Sequence, residues 1–302
     1  MPSDSISFPY NLDTARGIDL HMHSSASDGM LSPTALVELC HQRGLTHIAL
    51  TDHDTMSGVE EARQAAGRHG ITLIDGCELS TRWEGVGIHV VALFPAGPGE
   101  HIAAGLEVLK QARIARAEVI ATRLERIGLE DALNCARVQA GSDRPLGRPD
   151  FARALVAAGL VRDLNSAFKK YLGAGKPGDV KTHWPALSDV VSWIVADGGI
   201  AVLAHPLRYK LTRRKLGALL DAFAAAGGEG AEVVSGYQND DRTRDLASLL
   251  AKRGLYASLG SDFHFQGGPL APGTFSPAGR TSLPPVWCHS CFASYAVAMA
   301  PP

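Results

Sequence analysis

The sequence predicts an α/β fold in which strands and helices alternate, either as a parallel barrel or as a doubly wound sheet. Short apolar runs recur along the chain, and most are followed by a polar loop and then by a stretch whose apolar residues have helical spacing. The polar loops also share a composition, with histidine or an acidic residue close to the end of the apolar run. We therefore expect functional groups to gather at the carboxyl ends of the strands.

The first third of the chain supplies the first strands and helices. Strands are expected at residues 18–23, 47–50, 71–74 and 88–94. One helix begins near Ser32 and Pro33 and ends before Gly44, and a second runs from Val59 to His69 before Gly70. Strand and helix alternate here as a parallel α/β sheet requires.

A helix-rich stretch interrupts the alternation. A long helix is predicted from Ile102 to Ile127, with shorter helical segments around Phe151 and Phe168. We interpret residues 99–180 as a helical insertion that serves as a substrate cap. Its many basic residues could handle an anion, but the regular spacing of the arginines before Gly128 favours a solvated helix face.

The alternation then resumes. Helices are expected at residues 187–197, 216–226 and 241–253, and strands at 200–204, 230–234 and 256–259. These assignments place the α/β unit at residues 17–98 and 181–266, with irregular termini at 1–16 and 267–302.

Composition indicates an ordinary globular protein with a sizeable core, since 45% of the 302 residues are hydrophobic. The formal net charge of −2, from 29 basic and 31 acidic residues, provides no global attraction for long duplex nucleic acid. No apolar run approaches membrane-spanning length, and the first residues lack the pattern of a secretory signal. We expect a cytoplasmic protein with no membrane partner.

The five cysteines do not suggest a disulfide framework, because their number is odd and most are far apart in the sequence. Cys288 and Cys291 have the C-x-x-C spacing of zinc and redox sites. They lie in a Pro-rich stretch without a second pair, so we favour an incidental position.

Histidine and carboxylate side chains recur at the predicted strand ends. The nine candidate metal ligands are His21, His23, Asp28, His53, Glu78, His89, His205, Asp262 and His264. A single histidine at a strand end is more often a hydrogen-bonded loop residue than a ligand. Nine candidates at equivalent places, however, exceed the three protein ligands of a typical mononuclear catalytic site. We predict two or three divalent metal ions.

Imidazole and carboxylate without thiolate suit Mn, Fe or Zn better than a magnesium site, and we place manganese first. Neighbouring metals about 3.5–4 Å apart acidify a bridging water and hold the attacking and leaving oxygens of an in-line phosphoryl displacement. Hydrolysis of a phosphoester is the expected reaction.

These motifs resemble those of the PHP (polymerase and histidinol phosphatase) superfamily, within the amidohydrolase-like enzymes. The matching signatures are the His-x-His pair at 21 and 23, the Thr-Asp-His-Asp-Thr box at 51–55, Glu78, His89, Ala-His-Pro at 204–206 and Ser-Asp-Phe-His at 261–264. The resemblance implies a distorted (β/α)7 barrel with a helical insertion domain and a trinuclear metal site.

The resemblance also implies how the ligands divide among three metals. The implied sets are His21, His23, Glu78 and Asp262; Glu78, His89 and His205; and Asp28, His53 and His264. Glu78 would bridge two ions, and a hydroxide between them would be the nucleophile. Asp28 stands where many members have a histidine, which leaves the occupancy and metal preference of the third site open.

Further segments are similar to the branch of bacterial nucleotide phosphoesterases. They are Gly147-Arg148-Pro149, Tyr171-Leu172-Gly173, Gly175-Lys176-Pro177 and the run from His205 to Tyr209. This similarity implies a phosphoric monoester hydrolase that removes the 3′-phosphate of nucleoside 3′,5′-bisphosphates, such as adenosine 3′,5′-bisphosphate, to give AMP and phosphate.

Roles for individual residues follow from this implied reaction. The candidate catalytic residues are Asp262, His264 and His205, and either Asp262 or a metal-bound water would protonate the leaving hydroxyl. The candidate substrate contacts are Arg148, Lys176, Arg208 and His183. Guanidinium groups suit phosphate oxygens especially well.

Three alternative functions stay open. One is a 5′→3′ exonuclease on short 5′-phosphorylated RNA, with the basic insertion holding the 5′-phosphate. Another is an L-histidinol-phosphate phosphatase, against which the insertion and its arginines count. The third is a non-catalytic metal-binding accessory domain, against which the complete ligand set counts.

Overall fold

The structure is a computed structural model that describes residues 12, 16–141, 143–277, 281 and 283–294. Its centre is a seven-stranded sheet whose strands lie side by side in chain order. The strands are β1 (Ile18–Asp19), β2 (His47–Leu50), β3 (Thr72–Trp83), β4 (Val86–Phe94), β5 (Ile200–Leu203), β6 (Gly230–Ser235) and β7 (Tyr256–Gly260).

The sheet curls until its first and last strands meet. The amide of Leu20 donates to the carbonyl of Leu259 (3.3 Å), and the amide of His23 donates to the carbonyl of Phe263 (2.9 Å). Met22 and Phe263 form a parallel bridge. The predicted distorted barrel is confirmed.

The first strand is shorter than the predicted 18–23. Beyond Asp19 the regular ladder ends, because the amide of Met22 donates to the Thr51 hydroxyl (3.1 Å) instead of to a strand carbonyl. The residues that follow β1 thereby form an extended but irregular segment.

The expectation of a wholly parallel series is wrong at β4, which runs antiparallel to both β3 and β5. Strand β3 continues well past its predicted end and turns directly into β4 at Glu84 and Gly85, whose φ angles are 45° and 75°. A two-residue turn with positive φ at both positions joins antiparallel strands. A parallel pair would instead need a crossover connection, usually a helix.

The helices surround the barrel and fill the insertion. The described residues contain α1 (Pro33–Gln42), α2 (Val59–His69), α3 (Glu100–Glu125), α4 (Ala132–Ala140), α5 (Arg148–Ala157), α6 (Leu164–Ala167), α7 (Leu187–Ala196), α8 (Arg213–Ala225) and α9 (Asp240–Ala251). Helix α1 begins where predicted because the Ser32 hydroxyl accepts from the amide of Ala35 (3.2 Å). The predicted bounds of α2 are confirmed, with Gly70 in the left-handed conformation at its end.

The connection from β4 to β5 has its own hydrophobic cluster. Helices α3 to α6 and the π-helical turn Phe168–Leu172 bury Ile120, Leu124, Phe151 and Leu155 against one another, apart from the main barrel cluster. Helix α3 also packs on α7 at Gly105, where a Cβ would lie 2.4 Å from the Trp193 ring.

Within the described part of the chain, no helix has both the length and the apolar character to cross a membrane.

Candidate metal centre

Glu78, on β3, lies at the centre of the nine predicted ligands. Its two carboxylate oxygens lie within 3.3 Å of a ring nitrogen of each of five histidines. The distances are 3.3 Å for His21, 3.3 Å for His23, 3.0 Å for His53, 2.9 Å for His89 and 2.9 Å for His205. These histidines come from four different segments, since His21 and His23 both follow β1, so one buried carboxylate connects most of the barrel.

Two aspartates complete the cluster. Oδ1 of Asp262 lies 3.2 Å from Nε2 of His23 and 3.4 Å from Nε2 of His21. Oδ1 of Asp28 lies 3.5 Å from Nε2 of His264 and 4.0 Å from Nδ1 of His23. All nine predicted ligands therefore lie together at one end of the barrel.

Three overlapping sets of these residues have donor atoms mutually within 4.8 Å in the described part of the chain. They are His21, His23, Glu78 and Asp262; His53, Glu78 and His89; and His23, Asp28, His53 and His264. The first set is the same as one of the sets implied by the resemblance. The third is the implied set of Asp28, His53 and His264 with His23 in addition. In the second set, which the resemblance implies as Glu78, His89 and His205, His53 takes the place of His205.

The backbone turns sharply where the strands end. Asp54, His205 and Asp262 have φ angles of 54°, 31° and 55° and follow β2, β5 and β7. Residues other than glycine avoid this left-handed region, and such positions concentrate at functional sites. Here they direct side chains into the cluster or, for Asp54, towards the amide of Ser80 (2.6 Å).

Buried ring nitrogens without hydrogen-bond partners fit a site for metal ions. Among the described residues, Nδ1 of His23 and Nδ1 of His205 have no hydrogen-bond partner. Buried nitrogen and oxygen atoms are normally hydrogen-bonded. Divalent cations would satisfy these atoms, and a mixture of imidazole and carboxylate suits Mn, Fe or Zn.

The pKa values of the cluster move in opposite directions. Burial lowers the pKa of His23, but hydrogen bonds with Asp262 and Glu78 outweigh it and raise that pKa to about 10. Burial lowers the pKa of His53 to about 4 even though Glu78 and Asp28 attract a proton to it. Burial also raises the pKa of Glu78, yet the neighbouring imidazoles hold it well below its usual range. Closely packed imidazoles and carboxylates out of water behave in this way.

Arginines from the insertion adjoin this cluster at a narrow cavity of about 20 Å³, which has room for about one water molecule. Asp28, His53, Arg113 and Arg144 all line it. Nε of Arg113 donates to Oδ2 of Asp54 (2.6 Å), which fixes the guanidinium. The cavity is thus bounded by metal-ligand candidates and by fixed cations.

The prediction of a solvated face for the arginines of α3 is wrong for two of them. Arg116 is only 5% exposed and donates to the carbonyl of Val180 (2.7 Å), and Arg113 is largely buried. Arg123 and Arg126 are exposed, as expected. Spacing alone could not separate the two pairs, because the helix turns one side towards the barrel.

The PHP domain family model matches residues 19–136. A protein from Chromobacterium violaceum named 3′,5′-nucleoside bisphosphate phosphatase is 42% identical over 252 residues, which cover 83% of this chain and 88% of that protein. The chain belongs to the PHP family. A 5′-3′ exoribonuclease from Haemophilus influenzae is 43% identical over 82% of this chain and 89% of that protein.

A solved structure has the same fold. It is an amidohydrolase from Chromobacterium violaceum with bound sulfate and no metal, 40% identical, with a TM-score of 0.81 over 92% of this chain and 96% of that chain.

The nine predicted ligands, centred on Glu78, are called the PHP cluster. Sequence reasoning missed two buried carboxylates that support this cluster. Glu232, on β6, accepts from the amide of His205 (2.5 Å) and lies 2.7 Å from Nδ1 of His21. Asp52 accepts from the hydroxyls of Ser24 (2.6 Å) and Ser27 (2.5 Å). A charged residue within the apolar run of β6 was a signal for Glu232, and Asp52 lies within the 51–55 box.

The four predicted substrate contacts lie in different surroundings. Arg148 is half-buried, and its Nη1 donates to the carbonyl of Leu172 (3.2 Å). Arg208 forms an ion pair with Asp262 at the edge of the PHP cluster. Lys176 and His183 are exposed and do not line the cavity between the cluster and the arginines.

Cys288 and Cys291 do not join any set of three or more potential metal ligands found among the described residues. The Cys291 thiol lies 3.0 Å from Nδ1 of His289, whose Nε2 lies 2.7 Å from Glu229. Trp287, next to Cys288, is buried, so this part of the tail packs against the barrel.

Proposed function

We propose that this protein is a metal-dependent phosphoesterase that removes the 3′-phosphate from nucleoside 3′,5′-bisphosphates, such as adenosine 3′,5′-bisphosphate, to give AMP and phosphate. The placement of the insertion arginines Arg113 and Arg144 next to Asp28 and His53 of the cluster carries the proposal. A substrate with two phosphates matches it, with one phosphate at the PHP cluster and the second at the arginines.

Charge supports the second phosphate site. Burial, followed by repulsion from Arg148 and Arg113, lowers the pKa of Arg116 to about 9, so these three cations are close enough to destabilise one another. Such a concentration of buried positive charge is costly without nearby anions. Asp54 and Asp179 attract these arginines, and a phosphate group would add compensation.

The relatives agree with this chemistry. The similar protein from Chromobacterium violaceum is named for the bisphosphate reaction, and the similar amidohydrolase structure contains sulfate, a tetrahedral anion like phosphate.

Two or three divalent ions, manganese first and iron or zinc as alternatives, would neutralise phosphoryl charge and acidify water at the site. The residues proposed to hold them are His21, His23, Asp28, His53, Glu78, His89, His205, Asp262 and His264.

The proposed catalytic residues Asp262, His264 and His205 are oriented by their neighbours. Arg208 pairs with Asp262. Burial raises the pKa of that carboxyl, but His21, His23 and His264, followed by Arg208, outweigh burial and hold it well below its usual range. Nδ1 of His264 holds its proton towards the carbonyl of Asp262 (3.0 Å), which leaves Nε2 directed at Asp28. Nε2 of His205 faces Glu78 (2.9 Å).

The insertion at residues 99–180 is proposed as a substrate cap on the barrel at 17–98 and 181–266. It contributes Arg113, Arg144 and Arg148 to the side facing the PHP cluster. Arg148 and Arg208 remain in the proposal as phosphate contacts. The geometry assigns no contact to the exposed Lys176 and His183.

A 5′→3′ exonuclease acting on short RNA is the second candidate, because relatives from Haemophilus influenzae and Escherichia coli are named exoribonucleases. The same arginines would hold the 5′-phosphate of the RNA.

A cytoplasmic location is also proposed, and it is supported by the five cysteines, all of which are free thiols.

The test is phosphate release by manganese-loaded protein offered adenosine 3′,5′-bisphosphate, 5′-AMP, histidinol phosphate and a short 5′-phosphorylated RNA. We expect the bisphosphate to be preferred and 5′-AMP to be the product. Preferred turnover of histidinol phosphate, or formation of 3′-AMP, would overturn the assignment. Release of mononucleotides from RNA at a higher kcat/KM would favour the exonuclease.

A further inference from the structure

A second cavity opens beside the PHP cluster, on the segment that follows β7. Its volume is about 280 Å³, close to the lower end of the roughly 300–1,000 Å³ typical of small-ligand sites. Asp262 and His264 line it together with Phe265, Pro269 and Leu270. The cavity therefore shares residues with the cluster, while the cavity of the arginines meets the cluster at Asp28 and His53.

The walls of this second cavity are mainly apolar. Its cation, Arg208, is paired with Asp262 at the edge of the PHP cluster, where the proposed function assigns it to the phosphate held there. The remaining wall residues, Phe265, Pro269 and Leu270, offer apolar surface. The two cavities thus differ in chemistry, because the arginine side suits an anion and this side suits a flat, largely apolar group.

Phe265 is held in place but not covered. A Cβ at Gly268 would lie 2.8 Å from Cε2 of the Phe265 ring, so the ring packs directly on the Gly268 backbone. The residue nevertheless remains 46% exposed. The loop is fixed further along, where a Cβ at Gly236 would lie 2.9 Å from Leu270. An aromatic ring supported by backbone on a fixed loop is preorganised for stacking.

We propose that this cavity binds the nucleobase of the substrate and that Phe265 is its stacking platform. The inference rests on the proposed function, because it assumes a nucleotide with its 3′-phosphate at the PHP cluster. The ribose of a nucleoside 3′,5′-bisphosphate carries the base and the 5′-phosphate at different carbons. The base would extend to the Phe265 side while the 5′-phosphate extends to Arg113 and Arg144.

The experiment compares two substrates and several variants. The substrates are adenosine 3′,5′-bisphosphate and ribose 3,5-bisphosphate, which lacks the base. The variants are Phe265→Ala, Phe265→Leu, Phe265→Trp and, as the control, Tyr237→Ala. Tyr237 is also an exposed aromatic residue on a barrel loop, but it does not line the cavity.

We expect Phe265→Ala and Phe265→Leu to raise KM for the nucleotide about 10-fold, as loss of a base–aromatic stack does, with kcat within about twofold. KM for ribose 3,5-bisphosphate should not change. Phe265→Trp should retain the KM of the unmodified protein for the nucleotide. Tyr237→Ala should not change KM for either substrate. AMP binding, measured by calorimetry, should weaken in parallel with KM.

The outcomes separate the two proposals. Suppose that the unmodified protein hydrolyses both substrates and that the Phe265 variants change KM equally for both substrates or for neither. The stacking site is then wrong, and the phosphatase assignment stands. If the unmodified protein hydrolyses neither, the assignment itself fails. The metal content of each variant distinguishes loss of stacking from displacement of the adjacent His264.

Discussion

Oε1 of Glu232 lies 2.7 Å from Nδ1 of His21, although the residues are 211 positions apart in the chain. Both side chains are fully buried. Because the carboxylate accepts a hydrogen bond from Nδ1–H, Nε2 of His21 is left to face Glu78 and Asp262. Oε2 of the same carboxylate accepts from the amide of His205 (2.5 Å). The Glu232 side chain thus orients both His21, which follows β1, and the segment that follows β5.

Replacing Glu232 with Gln should weaken metal binding about 10–100-fold while the protein stays folded, because outer carboxylates set the tautomer and basicity of ligand histidines. Competition with a chelating dye measures the affinity. Glu229→Gln is the control, since Glu229 is exposed and pairs with His289. Equal affinities in the two variants would remove Glu232 from the centre.

Replacing His53 with Ala should lower kcat at least about 100-fold with little loss of structure. His53 borders the cavity and contacts Glu78 (3.0 Å) and Asp28 (3.9 Å), so the change removes a shared ligand without opening the core. Phosphate release and metal stoichiometry are the measurements. The exposed His183 provides the control as His183→Ala. Full activity in His53→Ala would exclude this residue from the mechanism.

Removing metal should lower the melting temperature and abolish hydrolysis, and both should return on adding Mn²⁺. Bound ions stabilise the folded state by mass action, by about 2.7 kcal/mol when their concentration is 100 times Kd. Thermal unfolding with and without a chelator measures the effect. The same melting temperature in both conditions, with activity retained in the chelator, would contradict a metal centre.

Replacing Arg113 with Met should raise KM for adenosine 3′,5′-bisphosphate about 10–100-fold, because a charge-assisted hydrogen bond is worth about 1.5–3 kcal/mol. KM for 3′-AMP, which lacks the 5′-phosphate, should change much less. Arg126→Met is the control on the exposed side of α3. An equal increase for both substrates would mean that Arg113 acts through the fold and not on the second phosphate.

Replacing Asp197 with Ala should destabilise the protein by about 1–2 kcal/mol at pH 7, as loss of a helix cap does. Its carboxylate accepts from the amides of Gly99 (3.1 Å), His101 (3.2 Å) and Ile102 (2.7 Å) at the start of α3. Burial raises the pKa of Asp197, but these bonds and the His101 imidazole outweigh burial and hold it below its usual value.

The sign of the pH dependence follows from that lowered pKa. The stabilisation by Asp197 is present above the unfolded pKa near 3.9 and is lost as the pH falls through the lower folded value. Urea unfolding at pH 7 and pH 3 should therefore show a difference between Asp197→Ala and the unmodified protein that shrinks in acid. Glu118→Ala, on the exposed face of α3, should show no comparable difference. A difference that persists at pH 3 would contradict the role of the ionised carboxylate.

The sequence was most informative where local pattern and chemistry coincide. The start of α1 and the end of α2 are set by nearby residues, Ser32 and Gly70, and their positions were predicted closely. Most of the nine candidate ligands lie together because parallel strands bring their carboxyl ends to one edge. His89 reaches the same edge from the amino end of β4, because that strand is antiparallel. Their metal roles remain predictions.

Local pattern failed where the result depended on distant packing. An apolar, β-branched run such as β4 has the same composition whether its neighbours are parallel or antiparallel. Likewise, the spacing of Arg113, Arg116, Arg123 and Arg126 could not show which side of α3 faces the barrel.

The sequence by itself therefore determined the type of fold, the bounds of α1 and α2 and the chemical character of the candidate ligands, because these depend on residues close together in the chain. Only the tertiary structure decided which candidate ligands contact the same side chain and that Glu232 is hydrogen-bonded to His21. It also decided that Arg113 and Arg116 face the barrel. The physical reason is closure of the barrel, which brings β1 beside β7 and sets distances between residues that no local pattern relates.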